Sequence, residues 1–380
     1  MKNLSGPRRI ATTIALIAAA LQCIQAQAQS TATTERWQFG AVLDAAASSR
    51  ALELGGRDQG LQLGHSDLTA SGALGRHLRA QFNVALATHE GAVEKAIEEA
   101  WIETRTLPAG LSARAGRFAS QVGNLNPQHP HADDFVERPL LHRAFLGGHW
   151  FDDGLRVNLT LPTGLYWMVG AEAFRGRKLV PDADPPVNGV GAFTLVTRIG
   201  GDLDRSNSWQ LGLSYLESRR IAALEEEHED EEEHAHSAEF GGRHLWLLDA
   251  TWKWAPNGNN RDRQLRLTVE AARVTGINAF ADSSQHHDAA SVAVVWRFDP
   301  QWELGARIDR LRVSIPHDER FHTGRLNEQA LMLAWKPSHM QTLRLQFSRQ
   351  GSAVGLEEPA RRSVALQYVL AFGAHGAHAY

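Results

Sequence analysis

Cysteine is almost missing: the 380-residue chain has one, Cys23. Disulfide frameworks and thiolate zinc sites are therefore excluded. Past residue 30 there is no run of about 18 apolar residues, which excludes a helical membrane protein. Positive charge is not in excess either. The formal net charge is −4, so a nucleic-acid partner is not expected. There is no glycine motif that would cradle a phosphate. The best grouping for a hydrolase, Ser283, Ser284, His286, His287 and Asp288, is of a kind that arises by chance at polar loop tips. No enzyme activity is expected.

What is present begins with an export signal. Lys2, Arg8 and Arg9 precede an apolar stretch from Ile10 to Ile24, and Ala26-Gln27-Ala28 fits a small-x-small cleavage site. Residues 1–28 read as a signal peptide, and Gln22 before Cys23 argues against lipoprotein processing. The mature part, 29–380, keeps 36 basic and 43 acidic residues, a net −7, with no cysteine.

Its dominant pattern is strict alternation. Leu265, Leu267, Val269 and Ala271 oppose Gln264, Arg266, Thr268 and Glu270. Leu155, Val157, Leu159 and Leu161 oppose Arg156, Asn158 and Thr160. Leu78, Ala80, Phe82, Val84 and Leu86 oppose Arg79, Gln81 and Asn83, and Leu343, Leu345 and Phe347 oppose Arg344, Gln346 and Ser348. Apolar-out, polar-in segments of about 10 residues predict an all-β transmembrane antiparallel barrel. A soluble β-sandwich shares the alternation. The 11 tryptophans, suited to interfacial girdles, and the final run Val364, Leu366, Tyr368, Leu370, Phe372 closing on Tyr380 favour the barrel.

Short and long connections alternate. Short ones fall at Gly75-Arg76, Leu107 to Gly110, Pro162 to Gly164, Gly201 to Asp204, Ala255 to Asn260, Asp299-Pro300 and Pro337 to His339. Long ones fall at Ser48 to Gly60, Ala119 to Asp152, Gly176 to Gly189, Arg219 to Gly242, Thr275 to Asp288, Ser314 to Gly324 and Gly351 to Ala360. With a hairpin at Thr88 to Ala92, the count is about 16 strands, both termini periplasmic. Val93, Ile97 and Trp101 recur at helical spacing, and only parity makes Val93 to Arg105 a strand. Strands and loops use up the mature chain, leaving no plug domain.

Two loops carry candidate chemistry. Glu225 to His236, inside the surface loop 219–242, packs eight acids and three histidines into twelve residues. Such a run cannot form a core. It is either a solvated surface or, through His228, His234, His236, Glu229 and Glu233, an exchangeable divalent-metal trap. The loop 119–152 carries prolines and apolar anchors, so it is expected to be ordered, and a loop of over thirty residues in a compact fold is usually functional. There His129, His131, Asp133 and Asp134 are candidate ligands, or else the histidines line a polar wall and Glu137 pairs with Arg138. Arg79, Arg156, Arg266 and Arg344, with Glu137 and Arg138, are expected to line the pore.

Gly116-Arg117-Phe118 followed by Phe135-Val136-Glu137-Arg138-Pro139-Leu140 resembles the phosphate-selective porins of the O/P type, which implies a 16-stranded barrel with an infolded loop. Asn124-Leu125-Asn126, His129-x-His131 and Ala144-Phe145-Leu146-Gly147-Gly148 are similar to zinc-regulated outer-membrane proteins, some called TonB-dependent receptors. The resemblance spans roughly Leu61 to Gly176 and implies a Gram-negative outer-membrane location and a homotrimer. Phosphate does not fit well, since Lys95, Lys178, Lys253 and Lys336 are the only mature lysines. The expectation is a porin-like channel embedded in outer-membrane lipid that assists Zn²⁺ or another divalent ion or metal complex, with no tightly bound cofactor. The arginines would oppose a bare cation. The alternatives are a general or anion/small-solute porin with a decorative acidic loop, and a surface metal-binding or adhesive barrel with a closed lumen.

Overall fold

The computed structural model describes residues 37–89, 91–179, 189–219, 238–278, 281–317, 320–351 and 362–373. The signal segment, the acidic run with His228, Glu229, Glu233, His234 and His236, and Tyr380 lie outside them.

Antiparallel strands close into a single barrel. They are β1 (Gln38–Ser48), β2 (Gly60–Leu63), β3 (Ser66–Leu74), β4 (Leu78–His89), β5 (Ala92–Thr104) and β6 (Leu111–Ala119). After the infolded loop come β7 (Phe151–Thr160), β8 (Tyr166–Phe174), β9 (Ala192–Asp202), β10 (Asn207–Ser218) and β11 (His244–Trp254). The circuit ends with β12 (Gln264–Thr275), β13 (His286–Asp299), β14 (Trp302–His317), β15 (Arg320–Ser338), β16 (Gln341–Gly351) and β17 (Arg362–Gly373). Seam pairs from Gly40↔Gly373 to Ser48↔Ala365 join β1 to β17. Both β2 and β3 pair with β1, so they are one interrupted stave and the barrel has 16.

Alternation decides which side of each strand faces out. Leu155, Val157, Leu304, Ile308, Leu331, Leu345 and Leu366 are exposed on the outer wall. Inside, Asp44, Asn83, Glu172, Glu270, Asp309 and Glu328 are buried. A soluble protein would invert this; an apolar belt around a polar interior suits lipid, where closure pairs every strand. No helix among the described residues is long and apolar enough to cross a membrane.

One expected loop is a correction. Ser314 to Gly324 is mostly paired strand, with Ser314↔Thr323, Ile315↔His322, Pro316↔Phe321 and His317↔Arg320 in register. The proline and polar residues there suggested a loop. A hairpin rising above the rim tolerates them because its edges meet water.

The long segment between β6 and β7 folds inward. Asn126 cinches its neck: its amide donates to the Ser120 and Trp150 carbonyls, both at 2.9 Å, and its Oδ1 accepts from Trp150 N at 2.8 Å. Helix α1 (Leu140–Leu146) then crosses the lumen with all seven residues buried. It ends at Gly147, whose φ of 58° is the left-handed cap that favours glycine. Leu140, Leu141, Phe145 and Leu146 pack with Phe118, Trp150, Phe174 and Leu247. Full burial of each such side chain contributes ~1.5–3 kcal/mol relative to exposure. Arg143 bonds Glu328 at 2.6 Å and His142 meets Glu270 at 3.0 Å, so polar groups on the wall fix where the apolar helix sits. Gly116, in the Gly-Arg-Phe sequence, lies so close to β5 that a Cβ there would collide with the Ala100 carbonyl oxygen.

Candidate metal centre at the constriction

Two register faults in the wall build the centre. Across β1, Ala45 pairs Leu63 but Val42 pairs Asp67, so the second stave holds one extra residue at Gly64-His65. Across β4, Asn83 pairs Glu99 but Val84 pairs Ile97, so β5 holds one extra residue, Glu98. A β-bulge of this kind lets two successive residues share a face. Glu98 and Glu99 are both buried inward, and a Cβ on Gly64 would meet the inward carboxylate of Asp44. The faults aim His65 and Glu98 at the same part of the lumen as Asp67.

The infolded loop supplies the opposite half. His129 precedes a 3-10 turn (Pro130–Ala132) and His131 lies within it; their rings stack at 5.7 Å. His149 follows the glycine pair after α1, with its ring 5.5 Å from that of His129. Arg138 ties these arms together. It bonds Asp133 at 2.7 Å, the Gln128 carbonyl at 2.5 Å and the Gly148 carbonyl at 2.8 Å.

His65, Asp67, Glu98 and His129 each offer one ligand atom, all within 4.8 Å of one another. Individual separations are 3.3 Å for His65–Asp67, 3.1 Å for His65–Glu98, 3.5 Å for His129–Asp67 and 3.6 Å for His129–Glu98. A tetrahedral zinc with ~2.0–2.1 Å bonds has ligand–ligand edges of about 3.3–3.4 Å. His131 Nδ1 stands 2.7 Å from Asp67, His149 Nδ1 3.6 Å from Glu98, and His129 Nε2 3.5 Å from Glu99. Close as they are, most of these contacts lack hydrogen-bond geometry. His65 Nε2, both Asp67 oxygens, Glu98 Oε2, the Nδ1 atoms of His129 and His131, and both nitrogens of His149 are buried without a hydrogen bond among the described residues. Each such orphan costs ~1–3 kcal/mol, so a cluster of them fits a bound ion.

Charge on the loop histidines is divided. Burial opposes the His129 imidazolium, but Asp67, Glu99 and Glu98 outweigh it and push the pKa up to about 9. Burial, then Arg138 and the neighbouring histidines, push His149 well below its ordinary value, and burial also lowers His131. Both directions favour the neutral ring, the form that coordinates metal, in His131 and His149.

The structure places the other named residues as follows. Asp133 is bonded to Arg138 and Asp134 to Arg266, so both carboxylates face guanidinium groups rather than the histidines. Glu137 accepts from Gly56 N at 2.9 Å rather than pairing with Arg138. Arg266, Arg344, Glu137 and Arg138 line a lumenal cavity of about 820 Å³ that reaches Pro300 and His339 at the short-connection end. Arg344 bonds Gln367 at 2.7 Å. Arg79 pairs with Glu103, while Arg156 is engaged by Glu172 at 2.7 Å and the Ala119 carbonyl at 2.6 Å, clamping the loop's root.

His65, Asp67, Glu98, Glu99 and His149 were not among the expected ligands. Two signals pointed to them: the acidic pair Glu98-Glu99 where alternation fails, and the isolated Gly64-His65 step.

Taken together, the fold and the lumen define a porin-type barrel. No family model matches the chain. An uncharacterized protein of Aquifex aeolicus is 27% identical over 318 residues, 75% of this chain and 63% of that protein, so the match spans less than two thirds of the relative. Among solved structures, the high-pH form of Pseudomonas putida OprB has a TM-score of 0.59 at 13% identity, covering 89% of this chain and 94% of that one. A loop L8 deletion mutant of Vibrio cholerae OmpT, an outer membrane protein, gives 0.58 at 11% identity, covering 89% and 99%.

Proposed function

We propose that this chain is an outer-membrane channel of the porin type that binds a divalent transition metal, zinc foremost, at its constriction and passes it toward the periplasm. The observation that carries this reading is the convergence of four imidazoles and three carboxylates at mid-barrel. Mixed nitrogen and oxygen donors suit Zn²⁺ and its neighbours better than Mg²⁺ or Ca²⁺, which take oxygen shells. The acidic loop 219–242 would collect the ion at the surface. Its root rests on the infolded loop, with Phe240 N donating to the Ala144 carbonyl at 2.9 Å. His228, His234 and His236 with Glu229 and Glu233 would be exchangeable ligands there.

A second reading, an anion or small-solute porin, draws on the basic lining of the lumenal cavity. Lys253, Arg261, Arg297 and Arg307 stand there with Arg266 and Arg344. Zinc uptake into proteoliposomes separates the two. The metal reading expects saturable uptake that falls when His129 and His131 are changed to Ala, with solute leakage unchanged. Equal uptake by parent and variant favours the general porin, and no bilayer conductance favours a closed surface protein.

A further inference from the structure

The outward surface of β12 to β17 changes along its height. At the short-connection end it carries Trp296, Phe298, Trp302, Trp335 and Tyr368, and an aliphatic belt of Val292, Leu304, Ile308, Leu331 and Leu345 follows. Above the belt Arg273, Arg310, Arg312 and Arg325 are exposed, and Arg349 and Arg362 are exposed at its upper edge. Register joins four positions in one row, Arg273↔Asp288↔Arg312↔Arg325, with Arg310 two residues below Arg312; Arg349↔Arg362 lie lower, on the row of Gln329, Ile308 and Val292.

Like charges directly opposed on neighbouring strands destabilise a sheet. Here Arg312 faces Arg325 and Arg349 faces Arg362. Around these arginines the only acid among the described outward residues is Asp288, already held by Arg273 at 2.7 Å and near His286 at 3.0 Å; Asp299 lies at the far, short-connection end of β13. The patch is therefore short of anions. Its height fits a particular source. Trp302 to Arg310 spans eight residues of β14, about 27 Å along the strand and ~20 Å along the normal after a ~40° tilt. That sets Arg310, with Arg312 and Arg325 just above it, at the edge of the apolar band, where lipid phosphates lie.

We propose that this face binds phosphorylated lipid headgroups of the outer leaflet, each phosphate bridging guanidinium groups on adjacent strands. Guanidinium forks match phosphate oxygens bidentately, and the belt beneath receives the acyl chains. The inference requires a membrane-embedded barrel but not the metal reading.

The test uses the folded full barrel in detergent and the variant Arg310→Gln/Arg312→Gln/Arg325→Gln. A bis-phosphorylated glycolipid, its dephosphorylated form and inorganic phosphate are added separately, with retention read by native mass spectrometry and protection by thermal unfolding. The parent retains the phosphorylated lipid and melts higher with it. The variant binds it about 100-fold more weakly, at roughly fivefold per arginine near an anionic surface. Equal retention of the dephosphorylated lipid, parent-like binding by the variant, or equal protection by inorganic phosphate alone overturns the proposal. If the Gln variant does not fold, the matching Lys variant is read; it keeps charge without the fork and should lose part of the affinity, while parent-like binding overturns the bidentate role. Flotation with phosphatidylcholine vesicles separately tests the embedded barrel: failure to float strikes that reading.

Discussion

The two sides of this barrel obey different rules. From β11 to β17 nearly every strand keeps period 2, and its outward row runs from aromatic to aliphatic to arginine. From β1 to β7 two staves carry an extra residue, and a long loop is tucked against them. The regular wall is specified by its solvent: lipid asks only that alternate side chains be apolar. The faulted wall is specified by a site. Each bulge gives up ladder pairing locally so that a polar side chain can turn inward, the kind of local rule-breaking expected where function resides.

The largest effect should come from breaking the faulted wall's chemistry. His65→Ala with His129→Ala removes one imidazole from the wall and one from the loop. Zinc affinity by calorimetry should fall by more than about 100-fold, since even outer-shell losses cost 10–100-fold. The barrel's heat-modifiable gel mobility should persist, because neither residue supports the ladder. Parent-like affinity in the double variant would remove the constriction as the metal site.

Next in size is an insult to the regular wall. Leu331→Arg places a guanidinium on the lipid face, where an exposed leucine now stands. Near the bilayer midplane this should cost ~2–4 kcal/mol of folding free energy, against ~0–1 kcal/mol for Asn327→Arg nearer the rim. Urea unfolding in lipid vesicles reads both. Equal costs would mean that the wall does not sit in hydrocarbon at that depth.

This division also explains what could be read from the chain. Where alternation is unbroken, as in Leu265 to Ala271 or Leu155 to Leu161, strand and outward face follow directly. The 16-stave count followed from alternating loop lengths. The helical spacing of Val93, Ile97 and Trp101 is the trace of the bulge: Val93 and Ile97 face out, one residue is inserted, and Trp101 faces in, 7% exposed. Of the constriction, His129 and His131 stood out as a local motif. Their companions left only faint local traces, because His65 and Asp67 meet Glu98 and Glu99 through the pairing of β3, β4 and β5, and His149 joins them only when the loop folds in. Asp133 and Asp134 looked equivalent to the histidines in sequence. Arg138 and Arg266, expected as pore-lining groups, engage them instead, a pairing that only the folded loop reveals.

The smallest expected effect gives the sharpest comparison, since it makes the faulted wall regular. Glu98 is the unpaired residue of β5, so deleting it lets Ile97 and Glu99 follow one another in normal alternation. Val93, Lys95 and Ile97 would still face out opposite β4, and Glu99, Trp101 and Glu103 would still face in, without any change of register on either side. The barrel should fold with stability equal to the parent or higher, because a buried carboxylate with an orphaned oxygen is lost and a ladder pair is gained. Zinc affinity should drop by about tenfold, a ~1.4 kcal/mol loss, since Asp67 and Glu99 remain to supply charge. A Glu98→Gln variant, which keeps the bulge but removes the charge, should show a comparable drop in affinity without the gain in stability. If deletion unfolds the barrel while Glu98→Gln does not, the bulge is structural in its own right. If neither variant weakens zinc binding, Glu98 is not a ligand and the wall's irregularity has some other cause.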